Sequence, residues 1–293
     1  MNKLFIRHFG IALLFLIPIF GFSQESDSEA SKDNPKKDRS AYIGITTGIG
    51  TSNFRDFATS PLIYQGAPKY VGASFIRANK FRETEFRLSG SMGTYAVTVG
   101  NEAASSAATF FNIYYSRLYR LNKLSNDKWN FKVGGTYKLT SDFRSNARLQ
   151  NNSTGIEFFS TFFASVKVTN DISRKVSKDK KFLWIKYHVH PRKRNLSYHF
   201  NLGVLNSTFR NGYSYTGQAG VLNKVGLFDG YEMNHFSGFR ISSEFDYTIY
   251  LKNKNAIQLS YIWDAAKTGG NLDKFEVAHH VFKITFLFNT NNK

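Results

Sequence analysis

Apolar and polar residues alternate along most of the chain after Ala41. The segments with this pattern are 43–49, 85–92, 129–139, 196–204, 239–249, 257–263 and 282–288. Successive side chains of a β-strand point to opposite faces, so a period of two predicts strands with one apolar and one polar face. No comparably long run has helical spacing. The pattern therefore predicts an all-β protein.

The alternation also indicates which face meets which environment. The polar face carries Lys, Arg, Glu, Asp and His in strand after strand, as a narrow polar lumen would. Aromatic residues lie near the strand ends, as in the interfacial girdles of membrane barrels: Tyr119, Trp129, Tyr250, Tyr261 and Trp263. Several runs reach the ~9–11 residues that cross a bilayer when tilted, against ~5–6 in soluble strands. We therefore expect the apolar face to point outward.

These features predict a transmembrane antiparallel up-and-down β-barrel, with 12 strands and an alternative of 10. The difference lies in residues 181–220. If 182–189 and 213–220 both span, the ring has 12 strands. If 182–189 belongs to a periplasmic excursion and 213–220 belongs to a loop, the ring has 10 strands. The polar stretches 51–67 and 140–154 are predicted to be loops, and an even count puts both termini at one end.

The N-terminal segment is typical of a secretory signal peptide. Lys3 and Arg7 precede the apolar run 9–20, and small residues precede a cleavage position after Ser23. We thus expect a signal peptide at 1–23, a disordered periplasmic tail at 24–40, the barrel at 41–288 and a C-terminal tail at 289–293. The tail is rich in Ser and in charges of both signs and lacks bulky apolar residues.

Composition narrows the functional classes. The 293 residues include 39 Lys+Arg and 21 Asp+Glu, for a net charge of +18, and no Cys. Disulfides, zinc–thiolate clusters and cysteine nucleophiles are thereby excluded. Export of the chain argues against nucleic acid as the partner of this positive charge.

The last strand, 280–288, carries the most specific local pattern. Phe282, Ile284, Phe286 and Phe288 alternate with polar or smaller positions and end the strand on an aromatic residue. In this the chain resembles the small outer-membrane β-barrel proteins of Gram-negative bacteria, although five residues follow Phe288 here. The resemblance covers about 41–288. It implies an outer-membrane location with periplasmic termini, contact with outer-membrane lipids and lipopolysaccharide, and recognition of the last strand by the barrel insertion machinery. It implies no particular activity or oligomeric state.

Charged residues on the polar face are the candidate functional residues. We expect these to line the lumen: Glu85, Arg87, Lys132, Lys138, Glu157, Lys167, Lys186, Arg240, Glu244, Asp246 and Lys283. They either pair and plug the bore or line a thin aqueous path. The predicted function is accordingly a narrow porin-like pore or a structural or interaction barrel. No cofactor is expected. No metal is expected either, because we interpret His188, His190 and His199 as polar side chains that fill the lumen.

The alternative is an outer-membrane lipid ester hydrolase. His235 and Ser237 share the parity of the lipid-facing residues of their strand. A His-x-Ser pair on the outer wall resembles that of outer-membrane phospholipases and lipid A deacylases, in which the imidazole activates the hydroxyl. Such a site also needs a residue that orients the His. Asp264, the nearest acid on the following strand, has lumen parity instead, so an enzymatic function is the less favoured hypothesis.

Overall fold

The computed structural model describes residues 39–152, 154–211, 228, 231–269 and 274–290. The predicted signal peptide, the tail up to residue 38 and the candidate strand 213–220 lie outside these residues. The strands are β1 (Ser40–Asp56), β2 (Ser60–Gly66), β3 (Lys69–Ala78), β4 (Arg82–Val99), β5 (Glu102–Arg120), β6 (Trp129–Ser145), β7 (Thr154–Asp171), β8 (Lys178–Phe182), β9 (Ile185–Val189), β10 (Arg194–Asn211), β11 (Tyr231–His235), β12 (Phe239–Tyr250), β13 (Ala256–Lys267) and β14 (Phe275–Asn289). A short 3-10 helix, Ala147–Asn152, precedes β7.

The strands form a closed antiparallel barrel. Each strand of the ring pairs with the next in the order β1, β3, β4, β5, β6, β7, β10, β12, β13 and β14, and β14 closes the ring against β1. Ile43 of β1 lies between Phe288 of β14 and Phe75 of β3. The predicted all-β, antiparallel up-and-down barrel is thus confirmed.

The sheet contains 12 strands, of which 10 form the ring and 2 lie outside it. The outside strands are the short β2, which pairs with β1 and β4, and β11, which pairs with β10. The ring itself therefore has the alternative number weighed from the sequence. Residues 182–189 do not span: they belong to the separate β8–β9 hairpin, which pairs with no strand of the ring. A two-stranded hairpin also alternates, so alternation alone could not distinguish it.

Two segments predicted to be loops contain strand residues. β1 continues to Asp56 and β2 occupies Ser60–Gly66, within the stretch 51–67. β6 continues to Ser145, within the stretch 140–154. The prediction was wrong because polar residues occur on both faces of these stretches and leave only a few apolar positions to mark the alternation.

The ring has two ends, which differ in their connections. At the terminal end the chain enters β1 at Ser40 and leaves β14 at Asn289, and the connections 79–81, 121–128, 172–193 and 251–255 lie there. The far end carries the connections 57–59, 100–101 and 146–152; β10 and β13 end there, and β11 and β14 begin there. Both ends of the described barrel thus lie on one side, as an even ring requires.

The outer wall is apolar and the interior is polar. Outward side chains on neighbouring strands include Ile45, Leu88, Phe111 and Phe282, the last being 64% exposed. Most buried side chains are instead polar or charged, the reverse of a water-soluble core. Among the described residues, no helix is both long and apolar enough to cross a bilayer.

Candidate functional site

The predicted lumen residues lie inside the ring with one exception. Glu85, Arg87, Lys132, Lys138, Glu157, Lys167, Arg240, Glu244, Asp246 and Lys283 have side chains that are buried or nearly so. Lys186 lies on β9, outside the ring. Ten of the eleven candidates therefore belong to one enclosed polar interior, and their contacts decide what that interior can do.

A charged network crosses the middle of the barrel. Arg87 Nη2 donates to Glu85 Oε1 at 2.6 Å and to Glu244 Oε2 at 3.0 Å. Lys283 Nζ lies 2.5 Å from Glu244 Oε1 on the opposite side. Because β4, β12 and β14 supply these side chains, the network ties together strands from different parts of the wall. We call Glu85, Arg87, Glu244 and Lys283 the middle network.

Uncharged partners surround the middle network. The Asp246 carboxylate accepts hydrogen bonds from Ser260 Oγ at 2.6 Å and from Ser197 Oγ at 3.2 Å. The Tyr114 hydroxyl lies 3.4 Å from His199 Nδ1. Hydroxyl groups thus satisfy the one acid in this region that has no basic partner within ion-pair distance among the described residues.

A second set of contacts lies toward the terminal end. Glu83 accepts from Lys132 Nζ at 2.9 Å and from Lys167 Nζ at 2.6 Å. The rings of Tyr42 and Tyr250 are 6.5 Å apart at the same end. Tyr250 points inward, where its hydroxyl meets Asn195, and is not part of an outer girdle. The ion pairs and the two aromatic rings together narrow the lumen at the terminal end.

Another ion cluster lies between the middle and the far end. Arg240 Nη2 donates to Asp264 Oδ2 at 2.9 Å, and Lys138 Nζ contacts the same carboxylate. Beside them, His279 Nδ1 lies 2.7 Å from Ser52 Oγ. Asp264 therefore faces the lumen, as its parity predicted, and is fully engaged there.

A polar cavity of about 60 Å³ separates this cluster from the middle network. Its lining includes Arg87, Asn112, Tyr114, Lys138, Asn201 and Asp264. Such a volume holds a few water molecules, which polar walls can hydrogen-bond. It is too small to form an open channel through the barrel.

The far end is closed by the most heavily shared ion cluster. Arg144 donates to Asp56 at 2.9 Å and to Glu157 at 2.8 Å. Arg210 donates to the same two acids, at 2.8 and 3.0 Å. Asp142 lies 2.9 Å from Arg144 Nε as an ion pair without hydrogen-bond geometry. We call these five residues the far network.

Aromatic rings fill the space beside the far network. Phe275 stacks on Phe159 at 5.5 Å and lies 6.1 Å from Phe54, measured between ring centroids. The Arg144 guanidinium lies 4.4 Å from the centre of the Phe275 ring. Tyr95 and Phe110 complete the layer and are almost fully buried. Rings and ions together form a packed layer across the bore.

The sequence analysis missed most of the far network. Asp56, Asp142 and Arg144 lie in stretches predicted to be loops, and Arg210 lies beyond the predicted end of its strand. A signal was present, since Phe143 alternates with Asp142 and Arg144. It is short and mostly polar, so it resembles a loop unless the neighbouring strands are known.

The structure separates the two candidate hydrolase residues. β11 ends at His235, and the following Phe236 and Gly238 have φ angles of 53° and 84°, so the chain leaves the strand direction before Ser237. The His235 imidazole Nδ1 instead lies 3.2 Å from the Ser207 hydroxyl. Among the described residues, no hydrogen bond joins His235 to Ser237, and no observation supports a hydrolase.

The last strand has the orientation that its pattern predicts. Phe282, Phe286 and Phe288 are exposed on the outer wall, and Ile284 between them is partly exposed. Ile45 and Ile43 of β1 pair with Phe286 and Phe288. β14 is therefore the strand that closes the ring; its recognition by insertion machinery stays a prediction.

Comparison with solved structures finds barrels that are similar over most of their length. The transport unit of the autotransporter AIDA-I from Escherichia coli matches 95% of this chain and 98% of its own, with 8% identity and a TM-score of 0.38. The translocator domain of the autotransporter NalP from Neisseria meningitidis covers 98% and 99%, with 9% identity and a TM-score of 0.35. An outer membrane channel from Pseudomonas putida F1 covers 89% and 100%, with 10% identity and a TM-score of 0.33. No protein-family model matches the sequence, and no curated protein does.

Proposed function

We propose that this protein is an integral outer-membrane β-barrel with a closed lumen, which acts as a structural or interaction barrel. One observation carries the proposal: the interior is spanned by paired charges and packed aromatic rings, with a cavity of only about 60 Å³ between them. The apolar outer wall supports the membrane location, because a wall of this kind needs an apolar solvent.

The proposed orientation places the terminal end in the periplasm. Its support is the predicted signal peptide, which directs the chain to enter the membrane from that side, together with the even ring. In this orientation Lys193 faces the periplasm and Asn101, in the β4–β5 turn at the opposite end, faces the cell exterior.

Thiol labelling tests the orientation, since the chain has no Cys. We expect Asn101→Cys to react on intact cells with a membrane-impermeant maleimide. Lys193→Cys should react only after the outer membrane is breached. The reverse pattern would refute the orientation, and labelling of neither variant in the membrane fraction would refute the location.

Conductance tests the closed lumen. Purified protein in a planar bilayer should show no steady conductance, because paired charges and packed aromatic rings fill the bore at the far network. Steady conductance of the wild-type protein would refute this proposal in favour of a pore.

A narrow pore is the second candidate, and the polar cavity favours it. If ions pass the cavity, Lys138→Gln should change conductance or ion selectivity, because Lys138 lines its wall. Lys69→Gln, an exposed residue on the outer wall, is the matched control and should change neither. If neither variant shows conductance in the bilayer, the result would support the closed barrel.

A further inference from the structure

A basic patch lies on the outer wall of the barrel near the terminal end. In cross-strand register, Arg77 of β3 pairs with Thr84 of β4, and Thr84 pairs with Arg117 of β5. Two residues nearer the end of the barrel, Arg82 pairs with Tyr119. All five have outward parity, opposite to the inward residues of the same strands. We call them the arginine patch.

Tyr119 holds two of the arginines in place. The guanidinium carbons of Arg82 and Arg117 lie 5.8 and 5.4 Å from the centre of its ring. Arginine over an aromatic face is a favourable arrangement that limits the freedom of the side chain. The two cations are therefore gathered at one point of the wall despite their mutual repulsion.

Several donors of the patch have no acceptor. Arg82 Nε, Arg117 Nε and Thr84 Oγ1 are buried and make no hydrogen bond in the structure. A buried donor without a partner costs free energy, so such groups are normally satisfied by the protein, water or a ligand. Three unsatisfied donors on two adjacent outward rows of the wall indicate an acceptor that binds from outside.

Among the described residues, the patch also has no counter-charge. Arg77, Arg82 and Arg117 make no ion pair with any carboxylate in the described part of the chain, unlike the arginines of the interior. The excess of positive charge also affects the neighbouring Arg39. Burial lowers the pKa of Arg39, and the charges of Arg82, Arg77 and Arg117 lower it further. A bound anion would relieve this repulsion.

The position of the patch identifies the anion. Phe75 and Phe86 pair with each other two residues farther along β3 and β4, and both are exposed, at 43% and 40%. The arginines thus border the apolar band, where the headgroups of a bilayer leaflet begin. A ligand that binds here would place its anionic group on the arginines and an apolar tail over Phe75 and Phe86. A molecule with both parts is a lipid.

We propose that the arginine patch binds the phosphate of an anionic phospholipid in the leaflet at the terminal end. The guanidinium groups donate charge-assisted hydrogen bonds to the phosphate oxygens, and the Thr84 hydroxyl adds a further donor. The acyl chains then lie along Phe75 and Phe86. The site rests on the proposed membrane location but not on whether the lumen is closed.

Lipid binding to the full, detergent-purified protein tests the site. In native mass spectrometry we expect saturable retention of phosphatidylglycerol and little retention of phosphatidylcholine. The double variant Arg82→Gln/Arg117→Gln should bind phosphatidylglycerol more weakly than the wild-type protein, by at least about tenfold. The control Lys252→Gln/Lys254→Gln removes two charges from the β12–β13 turn at the same end and should bind like the wild-type protein.

Three results would overturn the proposal. They are equal phosphatidylglycerol binding by wild type and the patch variant, equal loss in the control, and displacement of the lipid by millimolar inorganic phosphate. Heat-modifiable gel migration of each variant verifies that the barrel is folded. If the patch variant fails this check, the double variant Arg82→Lys/Arg117→Lys replaces it. The lysines keep the positive charge but lose the planar donor geometry of arginine. Partly weakened lipid binding by this variant supports the site, and unchanged binding refutes it. A protein absent from the outer membrane of cells would refute the proposed location, whereas these measurements in detergent judge the patch by itself.

Discussion

The middle network and the far network both consist of buried ion pairs, but they are built differently. In the middle network, Glu244 lies between Arg87 and Lys283, and Glu85 supplies a second acid for Arg87. Acids and bases balance, and a polar cavity adjoins them. In the far network two arginines serve three acids, and aromatic rings take the place of a cavity.

This difference indicates which region would hold the proposed lumen closed. The middle network joins strands across a region that still has room for water. The far network fills the bore with ion pairs and aromatic rings, and it depends on Arg144, which contacts all three acids of the cluster. Loss of one partner from a buried network leaves uncompensated charge, so the two networks should differ in their sensitivity to single substitutions.

The largest effect is expected from Arg144→Ala. This change leaves Asp56 and Glu157 with Arg210 as their remaining partner and leaves Asp142 without an ion pair among the described residues. Breaking a buried ion cluster in this way costs ~3–5 kcal/mol. Urea unfolding in lipid vesicles, followed by gel mobility, measures the free energy of unfolding. The matched control is Arg148→Ala, whose pair with Glu102 is exposed, and it should change stability by less than ~1 kcal/mol. Equal effects of the two changes would contradict the role of the far network.

A smaller effect is expected from Glu244→Gln. Arg87 keeps Glu85, so only Lys283 loses its charged partner, and we expect a loss of ~2 kcal/mol in the free energy of unfolding. Glu276→Gln is the control, because Glu276 pairs with Arg55 at the partly exposed outer wall. The same unfolding assay applies. A loss as large as that of Arg144→Ala would show that the networks are equivalent.

The smallest effect of the three is expected from Phe275→Leu. The change removes the stacked ring and its contact with Arg144 while keeping an apolar side chain, so we expect a loss of ~1 kcal/mol. Phe282→Leu, on the exposed outer wall, should be close to neutral. If Phe275→Leu also allows steady conductance in a planar bilayer, the aromatic layer and not the ion cluster is the seal.

The alternating segments predicted seven of the ten ring strands and all four residues of the middle network. Glu85, Arg87, Glu244 and Lys283 were identified by parity alone, since each lies in a run where apolar residues mark the opposite face. Asp56 and Arg210 were not, because their neighbours on the outer face are no longer consistently apolar. The hairpin β8–β9 was mistaken for spanning strands because alternation does not reveal which strand lies next to which.

The sequence alone determined that this protein is a β-structure with an apolar outer face and a charged inner one. The physical reason is local: the backbone of a strand sends successive side chains to opposite sides, whatever the strand pairs with. Only the tertiary structure decided how many strands close the ring and which charges meet inside it. Arg87 and Glu244 are 157 residues apart in sequence, and ring closure brings them within 3.0 Å. The arginine patch depends on register in the same way, because no single strand contains Arg77, Thr84 and Arg117 as neighbours.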